Sequence, residues 1–403
     1  MAALADLKVV EFGAFAAGPA VGKHLADHGA EVIRVESRRR LDGFRTNYPP
    51  FKDGVPGPER AALYAITHND KFGVTLNLKS PEGLRLALAL VRRADVVVEN
   101  FTPGTMDRLG LGADTLLREN PRLVLVSTCN QGQTGPRANH PGFGTHLTSL
   151  AGFTQLTGWA DRAPSLLWGP YIDYIAVAYG VIAVLAAIEQ RRQTGRGCRV
   201  DLSQLETGVQ FMTPVLLDQF ATGRVAERAG NRDPGAAPHG VYPCSGDERW
   251  CAISVHDDQE WQALRTVLGD PEWSRDSALG SLEGRKAAED LLDRELSAWT
   301  AGLIREEVVG RLRAAGLRCA PVNDMEDLHA DPQLAVRQVW RKLEHPEIGE
   351  YSAVGPPFLL SETPASIQSP APLLGAHNRH VFMDLLGLDL VEFERNEAEG
   401  VFD

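Results

Sequence analysis

The stretch that decides the fold is LKVVEFGAFAAGPAVGKHLADHGAEVIRVE, which covers Leu7–Glu36. Its valine-rich start, Leu7–Phe12, predicts a β-strand, and EVIRVE at Glu31–Glu36 predicts a second one. Pro19–His28 predicts a helix between them, because Pro is favoured at the first helical position and Gly, here Gly29, just past the last one. A strand, a helix and a strand in this order predict two parallel strands of one sheet.

The same alternation continues through the first third of the chain. Further strands are predicted at Val74–Leu78, Asp95–Val98 and Leu123–Ser127, and a helix at Pro81–Arg93. Strands separated by helices predict a parallel, doubly wound α/β sheet, in which ligands bind outside the carboxyl ends of the strands. The segments after four of these strands carry most of the Gly, Pro, Asn and Arg of the region: Gly13–Gly18, Ser37–Arg40, Asn100–Gly104 and Thr128–Gly135.

A smaller unit is predicted in the middle of the chain. Before it, helices are expected at Asp173–Arg191 and Leu205–Phe220, with a short strand at Arg199–Leu202. Periodicity disappears at Thr222–Pro238, which predicts a linker. A hairpin and three helices follow, at Val241–Cys244, Trp250–Val255, Gln259–Leu268, Gly284–Thr300 and Glu306–Ala315. The tail is rich in Pro and is expected to be irregular, with a short helix near Val381–Leu386.

Composition restricts the partners. The 403 residues are 43% hydrophobic and 23% charged, and the formal net charge of −12 argues against a nucleic acid or an anionic membrane as partner. Five scattered cysteines without a Cys-x-x-Cys pair predict reduced thiols in a cytoplasmic protein rather than disulfides or a zinc site. The longest apolar stretch, Ile175–Ile188, is too short to cross a membrane and predicts a buried helix.

Common nucleotide and hydrolase signatures are missing. The segment Gly142-Phe143-Gly144 lacks the third glycine of Gly-x-Gly-x-x-Gly, since Leu147 stands there, and neither a P-loop nor a Gly-x-Ser-x-Gly elbow occurs. A dehydrogenase and a serine hydrolase are therefore disfavoured. His377 and His380 have no acidic or cysteine ligands nearby in the sequence, so no metal site is predicted.

Asp173 is the residue with the clearest chemical potential. It lies at the head of a long apolar run, Ile172–Gly180, in which only tyrosine and glycine interrupt the aliphatic residues. A carboxylate in that position is either a helix cap that accepts backbone N–H groups or a nucleophile in a largely dry site. The local sequence alone leaves both interpretations open.

Several further motifs, taken in order, resemble one protein family over nearly the whole chain. They include Ala17-Gly18-Pro19, Asn69-Asp70-Lys71, Glu99-Asn100-Phe101-Thr102-Pro103-Gly104, Thr194-Gly195-Arg196-Gly197 and Leu374-Gly375-Ala376-His377. Together they resemble the family III CoA-transferases, the group that includes formyl-CoA, carnitine-CoA and benzylsuccinate-CoA transferases.

The resemblance implies a catalytic role for Asp173. In that family the matching aspartate attacks the acyl-CoA carbonyl and forms a mixed anhydride, and CoA then returns to give an aspartyl-CoA thioester. An acceptor carboxylate reverses these steps. The developing oxyanion would be held by backbone N–H groups near Gly169 or in the Gly142–Gly144 segment, and the sequence does not decide between them.

The resemblance also implies where CoA binds, as a substrate and not as a permanently bound cofactor. The matching positions are Phe15, Ala16, Ala17, Arg38, Leu76, Lys79, Asn100, Phe101 and Arg108. Each of the two cations has a plain structural alternative: Lys79 precedes a helix start, and Arg108 could pair with a neighbour on a helix surface. Ser254–Gln259 has no glycine where the formyl-CoA enzymes carry a Gly-rich loop, which argues against formyl or oxalyl substrates.

The implied architecture is an interlocked dimer. A large domain would be formed by residues 1–221 and 323–403, with a linker at 222–238 and a small domain at 239–322. The subunits would cross at Thr222–Pro238 and Cys319–Pro332, in a homodimer or in a heteromer with a related chain. Succinyl-CoA is the first donor to consider.

Two alternatives to an active transferase remain from the sequence. A 2-methylacyl-CoA racemase would need a histidine near Phe143, and His146 is three residues late. The other alternative is a CoA-binding subunit without catalysis in a heteromeric CoA-transferase.

Overall fold

The computed structural model describes residues 2–403, which form two compact units. The first unit runs to Thr154, resumes at Leu166–Val225 and is completed by Pro332–Asp403. The second consists of Gln155–Ser165 and Ala226–Asp331. The sequence had assigned residues 155–165 to the large domain, because nothing in that short stretch indicates which distant segment it packs against.

A six-stranded parallel sheet forms the centre of the first unit, and the predicted doubly wound sheet is thereby confirmed. Its strands are β1 (Lys8–Phe12), β2 (Glu31–Glu36), β3 (Lys71–Thr75), β4 (Val96–Glu99), β5 (Val124–Cys129) and β6 (Cys198–Ser203). They lie in the order β3-β2-β1-β4-β5-β6 and all pairs are parallel. The strand order reverses between β1 and β4, and the carboxyl ends of these two strands define the ligand-binding edge of such a sheet.

Both faces of the sheet are buried, which explains why its strands read as almost continuous Val runs. On β1, Val10 and Phe12 belong to one apolar cluster, whereas Val9 belongs to the other. On β4, Val97 faces the first cluster and Val96 the second. Alternate side chains of each strand therefore pack into the two clusters on opposite faces of the sheet.

Helices of the first unit connect and cover these strands. They are α1 (Ala17–Asp27), α2 (Gly43–Thr46), α3 (Ala62–Thr67), α4 (Pro81–Arg93), α5 (Thr105–Arg108), α6 (Ala113–Glu119), α7 (Gly144–Leu150), α8 (Phe153–Leu156, at the boundary of the units), α9 (Tyr171–Thr194), α10 (Gln204–Phe211) and α11 (Thr213–Thr222). The single helix predicted at Leu205–Phe220 is wrong, because the chain breaks between α10 and α11 at Met212. Pro214, which lacks an N–H group, lies in the first turn of α11.

α9 is the longest helix and packs closely on α1. A Cβ atom at Gly180 would lie 2.7 Å from Val21 Cγ2, so only glycine permits this approach. The helix is 24 residues long, and an 18-residue window within it has a mean hydropathy of 2.0. By length and composition alone it could cross a membrane, contrary to the expectation from Ile175–Ile188. Only 39% of that apolar window is buried, and Ile182 and Leu185 lie on its exposed face.

The second unit contains a three-stranded antiparallel sheet. β7 (His239–Pro243), β8 (Trp250–Ser254) and β9 (Arg318–Val322) pair in that order. Its helices are α12 (Asp258–Val267), α13 (Leu282–Ala287), α14 (Glu289–Thr300), α15 (Arg305–Ala314) and α16 (Met325–Ala330), with 3₁₀ turns at Glu272–Arg275 and Ser277–Gly280. The predicted hairpin is thus extended by a third strand, and the predicted helix Gly284–Thr300 divides at Ala288.

The return segment completes the first unit and is more regular than the sequence predicted. It contains α17 (Pro332–Val336), a hairpin of β10 (Trp340–His345) and β11 (Gly349–Val354), a π-helical turn at His380–Leu385 and α18 (Leu390–Ala398). Thr75 at the end of edge strand β3 donates its hydroxyl to the Phe402 carbonyl (2.7 Å) and its N–H to Asn378 (2.9 Å). The last residues of the chain therefore hold the outermost strand of the sheet.

Candidate active site

Asn100 joins the carboxyl ends of β1 and β4. Its amide nitrogen donates to the Ala14 carbonyl (2.7 Å), and its amide oxygen accepts the Ala14 N–H (3.0 Å). Gly13 and Gly18 lie so close to this side chain that neither could carry a Cβ atom without displacing it. Both polar ends of the Asn100 amide thus bind the backbone of the first turn, and its contact with CoA stays a prediction.

Phe15 holds the first turn in a left-handed conformation. Its φ is +63°, which is unfavourable for a bulky residue and persists only when the surroundings fix it. The Phe15 N–H donates to both oxygens of Asp42, at 3.1 and 3.2 Å, and Asp42 is paired with the buried Arg34. The ring of Phe15 contacts Phe44 and Phe143 edge-on, with centroids 5.8 and 5.7 Å apart.

A buried ion-pair network supports this turn from behind. Arg34 pairs with Glu11 (2.5 Å), Lys71 pairs with the same carboxylate (2.8 Å), and Arg45 pairs with Glu36 (2.9 Å). Burial alone would raise the pKa of Glu36, but the charges of Arg34 and Arg45 outweigh it and lower the pKa. The sequence analysis missed this network, although charged residues inside Val-rich strands, such as Arg34 in EVIRVE, were a signal for it.

Asp173 is the third residue of α9 and does not cap it. The N-cap is Pro170, which has no side-chain capping bond, and within residues 2–403 no hydrogen bond to the Asp173 carboxylate is present. The residue as a whole is half-buried. Its carboxyl group lies against the backbone of Gly144, where an added Cβ would come within 2.7 Å of Oδ2. Burial raises the pKa of Asp173 from its ordinary value of 3.8 to about 7.

The segment Gly142–Gly144 connects the first turn to Asp173. Gly142 accepts a hydrogen bond at its carbonyl from the Asn130 amide (2.9 Å), and the Phe143 N–H donates to His146 Nδ1 (3.2 Å). The Phe143 ring meets Phe15, and the next residue, Gly144, meets the carboxylate. The structure thereby brings together Phe15, the glycine segment and Asp173, which are far apart in the sequence.

Three of the other expected CoA contacts are buried in the core. Ala16, Ala17 and Leu76 are 4%, 3% and 1% exposed. Leu76 packs among the apolar residues beside β3, and its N–H donates to the Glu36 carbonyl (2.9 Å). The contacts of these three residues with CoA stay predictions, and their backbone groups are the ones that such contacts would use.

The remaining expected contacts lie at the surface. Arg38, Lys79 and Arg108 are exposed, and Phe101 is half-buried against the core. Arg38 donates to the Leu374 carbonyl (3.3 Å) and Arg108 donates to Thr105 Oγ1 (2.8 Å). The structure shows no contact between these side chains and Asp173, so they belong to a different part of the sheet edge.

A cavity that the sequence analysis did not identify lies beside the ends of β5 and β6. Its volume is about 500 Å³, and its walls are the loop Gln131–Ala138 and one face of α10 and α11. The Gln131 amide oxygen is buried there without a partner. A smaller space of about 40 Å³ adjoins Glu99, whose pKa is raised by burial.

Among residues 2–403, no group of three or more His, Cys, Asp or Glu side chains could hold a metal ion.

A doubly wound sheet with a partly dehydrated carboxylate near its ligand-binding edge defines an α/β enzyme suited to carboxylate chemistry. The model for CoA-transferase family III matches residues 4–378. The chain belongs to that family, which confirms the resemblance seen in the sequence, and it is an enzyme that transfers CoA.

Relatives of this chain match almost throughout. The succinyl-CoA–D-citramalate CoA-transferase of Chloroflexus aurantiacus is 32% identical over 385 residues, which cover 96% of this chain and 94% of the relative. The beta subunit of the succinyl-CoA–L-malate CoA-transferase of the same organism is 32% identical over 390 residues, with coverage of 96% and 94%. A crystal structure of a CAIB/BAIF family protein from Brucella suis has a TM-score of 0.87 and 30% identity, covering 95% of this chain and 99% of that one.

Proposed function

We propose that the protein moves CoA from an acyl-CoA donor to a free carboxylic acid, with Asp173 as the covalent nucleophile. One observation carries the proposal: the Asp173 carboxyl makes no capping bond and lies against Gly144, in surroundings dry enough to raise its pKa to about 7. A carboxylate with few hydrogen bonds from water is a stronger nucleophile than a hydrated one, because less solvation is lost when it attacks.

The reaction proceeds through two covalent species. A carboxylate oxygen of Asp173 bonds to the acyl carbonyl carbon of the donor, the thioester C–S bond breaks, and CoA leaves as a thiolate. The thiolate then attacks the aspartyl carbonyl of the mixed anhydride, which releases the donor acid and forms an aspartyl-CoA thioester. The acceptor carboxylate repeats both steps in the reverse sense, so each bond broken is matched by one formed.

Gly144 is the better candidate for stabilising the oxyanion. Its backbone is adjacent to the Asp173 carboxyl, whereas Gly169 has open space where a side chain would lie. The first N–H groups of a helix have no partner within it, and Gly144 begins α7. An N–H group at that position is close to where charge develops during attack by Asp173.

CoA would bind along the carboxyl ends of β1, β2, β3 and β4. Arg38, Lys79 and Arg108 offer exposed cations for its phosphates, and half-buried Phe101 offers a ring for adenine. Backbone groups of Phe15, Ala16 and Ala17 would contact the ligand in the first turn. Asn100 would act indirectly by fixing that turn.

Succinyl-CoA is the proposed donor and a small dicarboxylic acid the proposed acceptor. Two relatives carry succinyl-CoA in their names, together with citramalate or malate. The absence of glycine in Ser254–Gln259 argues against the formyl and oxalyl substrates of other members.

The proposed assembly is an interlocked dimer, either of two copies or with a related subunit, in the cytoplasm. Exposed apolar side chains support association: no residue of α11 is buried, and Leu217 and Phe220 are 60% and 80% exposed. The crossings are proposed at Thr222–Pro238 and Cys319–Pro332.

The decisive experiment measures CoA exchange by mass spectrometry, with succinyl-CoA and a panel of carboxylic acids. The wild type should form the acceptor thioester, and Asp173→Ala should bind CoA yet lose transfer by several orders of magnitude, as expected for a missing covalent nucleophile. Hydroxylamine should inactivate the wild type only in the presence of acyl-CoA. Undiminished turnover of the alanine variant would rule out this role of Asp173.

Racemisation of a 2-methylacyl-CoA is the second candidate activity, and the geometry disfavours it. Phe143 cannot exchange a proton, and His146 Nδ1 already accepts the Phe143 N–H. In heavy water the protein should therefore not place deuterium on the α-carbon of such a thioester. Rapid deuteration without CoA exchange would favour the racemase.

A further inference from the structure

We propose that Asn130 is a positioning residue for the transfer reaction: it holds the Gly142–Gly144 segment against Asp173 and keeps water from the carboxylate. This inference rests on the proposed function, because a support for Asp173 matters only if Asp173 is the nucleophile. Asn130 itself is assigned no contact with substrate. It concerns the support of the nucleophile and not its identity.

Asn130 has a fixed base from which to act. It directly follows β5, whose last residue, Cys129, is paired with Ser203 at the end of β6. The Asn130 carbonyl accepts the Leu205 N–H of α10 (2.9 Å). The backbone of Asn130 is therefore tied to the sheet and to a helix before its side chain makes any contact.

The Asn130 side chain reaches across to the glycine segment. Its amide nitrogen donates to the Gly142 carbonyl at 2.9 Å, and a Cβ atom on Gly142 would lie 3.3 Å from that nitrogen. Among residues 2–403, the other hydrogen bonds of Gly142–Gly144 outside regular helix bonding are to residues of α7 itself, namely His146, Leu147 and Thr148. The Asn130 amide is thus the hydrogen bond that ties this segment to the sheet.

The segment needs such a tie because little else covers it. Phe143 is 54% exposed, and the preceding residues Asn139–Pro141 are exposed as well. One residue after Phe143, the Gly144 backbone forms a wall of the Asp173 site, with Pro170 on the same side. Displacement of the segment would open that wall to solvent.

Water that entered there would stabilise the ionised form of Asp173, because burial and not neighbouring charges raises the pKa of this group. Ionisable groups are present on the elements packed against α9 and on α9 itself: Lys23, His24 and Asp27 on α1, Cys129 on β5, His146 on α7, Tyr174 on α9, Cys198, Arg199 and Asp201 on β6, and Glu206 on α10. Hydration of the site should therefore lower the pKa of Asp173 without any change in these groups.

The test compares Asn130→Ala and Asn130→Asp with the wild type, using succinyl-CoA and the best acceptor acid. Both variants lose the donor to Gly142, and the aspartate also places a negative charge beside that carbonyl. We expect kcat to fall about 10- to 100-fold, as for a small misplacement of a reacting group, with little change in the KM for CoA thioester. The acidic limb of the pH–rate profile should move down by about one pH unit. The share of acyl-CoA hydrolysed rather than transferred should rise several-fold.

Asn120→Ala is the matched control. Asn120 is also half-buried, and it lies near the amino ends of β4 and β5. Its amide donates to two backbone carbonyls, those of Val91 (3.1 Å) and Ala94 (2.8 Å). It should lose stability without a change in the pH limb or in the ratio of hydrolysis to transfer.

The outcomes separate the two proposals. If the wild type transfers CoA through Asp173 but Asn130→Ala keeps its kcat, pH limb and hydrolysis ratio, the positioning role is overturned. The same conclusion follows if Asn120→Ala reproduces every change. If the wild type shows no transfer, or Asp173→Ala retains it, the proposed function itself fails. Should Asn130→Asp not fold, Asn130→Leu removes the donor with a side chain of similar size and is judged by the same readouts.

Discussion

The pKa of Asp173 is raised by burial without any compensating partner. It has neither a capping bond nor a neighbouring cation to stabilise its charge, and burial raises its pKa to about 7. At neutral pH its carboxyl group is therefore divided between the ionised and protonated forms. In the proposed mechanism only the ionised form attacks, so the active fraction should grow as the pH rises through 7.

We expect kcat/KM for the acyl-CoA donor to rise about tenfold per pH unit below 7 and to level off above it. The sign follows from the raised pKa, since protonation removes the nucleophile below that value. Tyr174→Phe is the control for the adjacent phenol, and it should keep the same limb. A limb near pH 4 would mean that Asp173 is hydrated in the working enzyme.

Lys79 and Arg108 test the proposed position of CoA at the residue scale. Alanine at either position should weaken CoA binding by about 1–3 kcal/mol, roughly 5- to 150-fold in Kd, because a charge-assisted contact with phosphate is lost. The maximal rate should change less than the affinity in calorimetry and steady-state assays. Arg118→Ala, which removes an exposed cation from α6, should bind CoA like the wild type. Equal affinity in all three variants would contradict the placement.

The sequence singles out Asp173 as a candidate, but it gives no sign of the contact that Asn100 makes. Local pattern leaves Asp173 as either a helix cap or a nucleophile, and only the resemblance to a family favours the second. Asn100 looks like a free polar residue after a strand, whereas its partner Ala14 lies 86 residues away in the chain. No local pattern carries the information that these two meet.

At the scale of elements, the contact between α7 and α9 forms the site. Gly144 is the residue at which they meet, and a side chain there would lie 2.5 Å from Pro170 Cβ and 2.7 Å from Asp173 Oδ2. Distances this short force one of the two helices to move.

We therefore expect Gly144→Ala to fold and to bind CoA, but to lose at least about 100-fold in kcat, because the carboxylate is displaced. Gly310→Ala in α15 is the control, since a Cβ there meets nothing within 4 Å. Steady-state kinetics and circular dichroism on both variants check this. Full activity in Gly144→Ala would show that the two helices are farther apart in solution.

Element boundaries were predictable where propensity and packing agree. Pro81–Arg93 is a helix in the structure as predicted, because Ser80 caps it and Pro81 begins it. The prediction failed at Met212 and Ala288, where apolar periodicity continues across a break in the backbone. Periodicity reports which face is buried, but not whether two consecutive helices share one axis.

At the scale of the whole molecule, the first unit exposes several large apolar side chains. Leu217 and Phe220 on α11 are exposed, as is Ile182 on α9. Contiguous exposed apolar patches commonly mark surfaces that bind a partner.

We expect the wild type to be dimeric at micromolar concentration in analytical ultracentrifugation, and the double variant Leu217→Asp with Phe220→Asp to dissociate or to unfold. Two buried carboxylates would cost several kcal/mol in an apolar interface. Val391→Asp, at an exposed position of α18 (77% exposed), should leave the dimer intact. A monomeric wild type would contradict the proposed assembly.

The sequence predicted the parallel sheet better than it predicted how the chain divides into two units. The first five strands alternate with nearby helices and could be read along the chain, although β3 (Lys71–Thr75) begins three residues before the predicted Val74–Leu78. A short strand at Arg199–Leu202 was also predicted, but its pairing with β5 was not. Gln155–Ser165 belongs to the second unit through contacts with Arg228, which is 69 residues from Trp159 and 73 from Gln155. The hairpin of β10 and β11 lies in a Pro-rich context. Neither is visible in a window of a few residues.

The hold of the C-terminal residues on β3 has a consequence during synthesis on the ribosome. The hydrogen bond of Thr75 with Phe402 cannot form until Phe402 has been synthesised, 327 residues later in the chain. At about 5–20 residues per second, translation takes roughly 15–65 s to deliver that partner. During this interval the nascent sheet has an open edge, a template for unwanted strand pairing. Chaperones should therefore stay bound to the nascent chain until Phe402 has been made, and a variant that lacks α18 and the residues after it should aggregate more than the wild type.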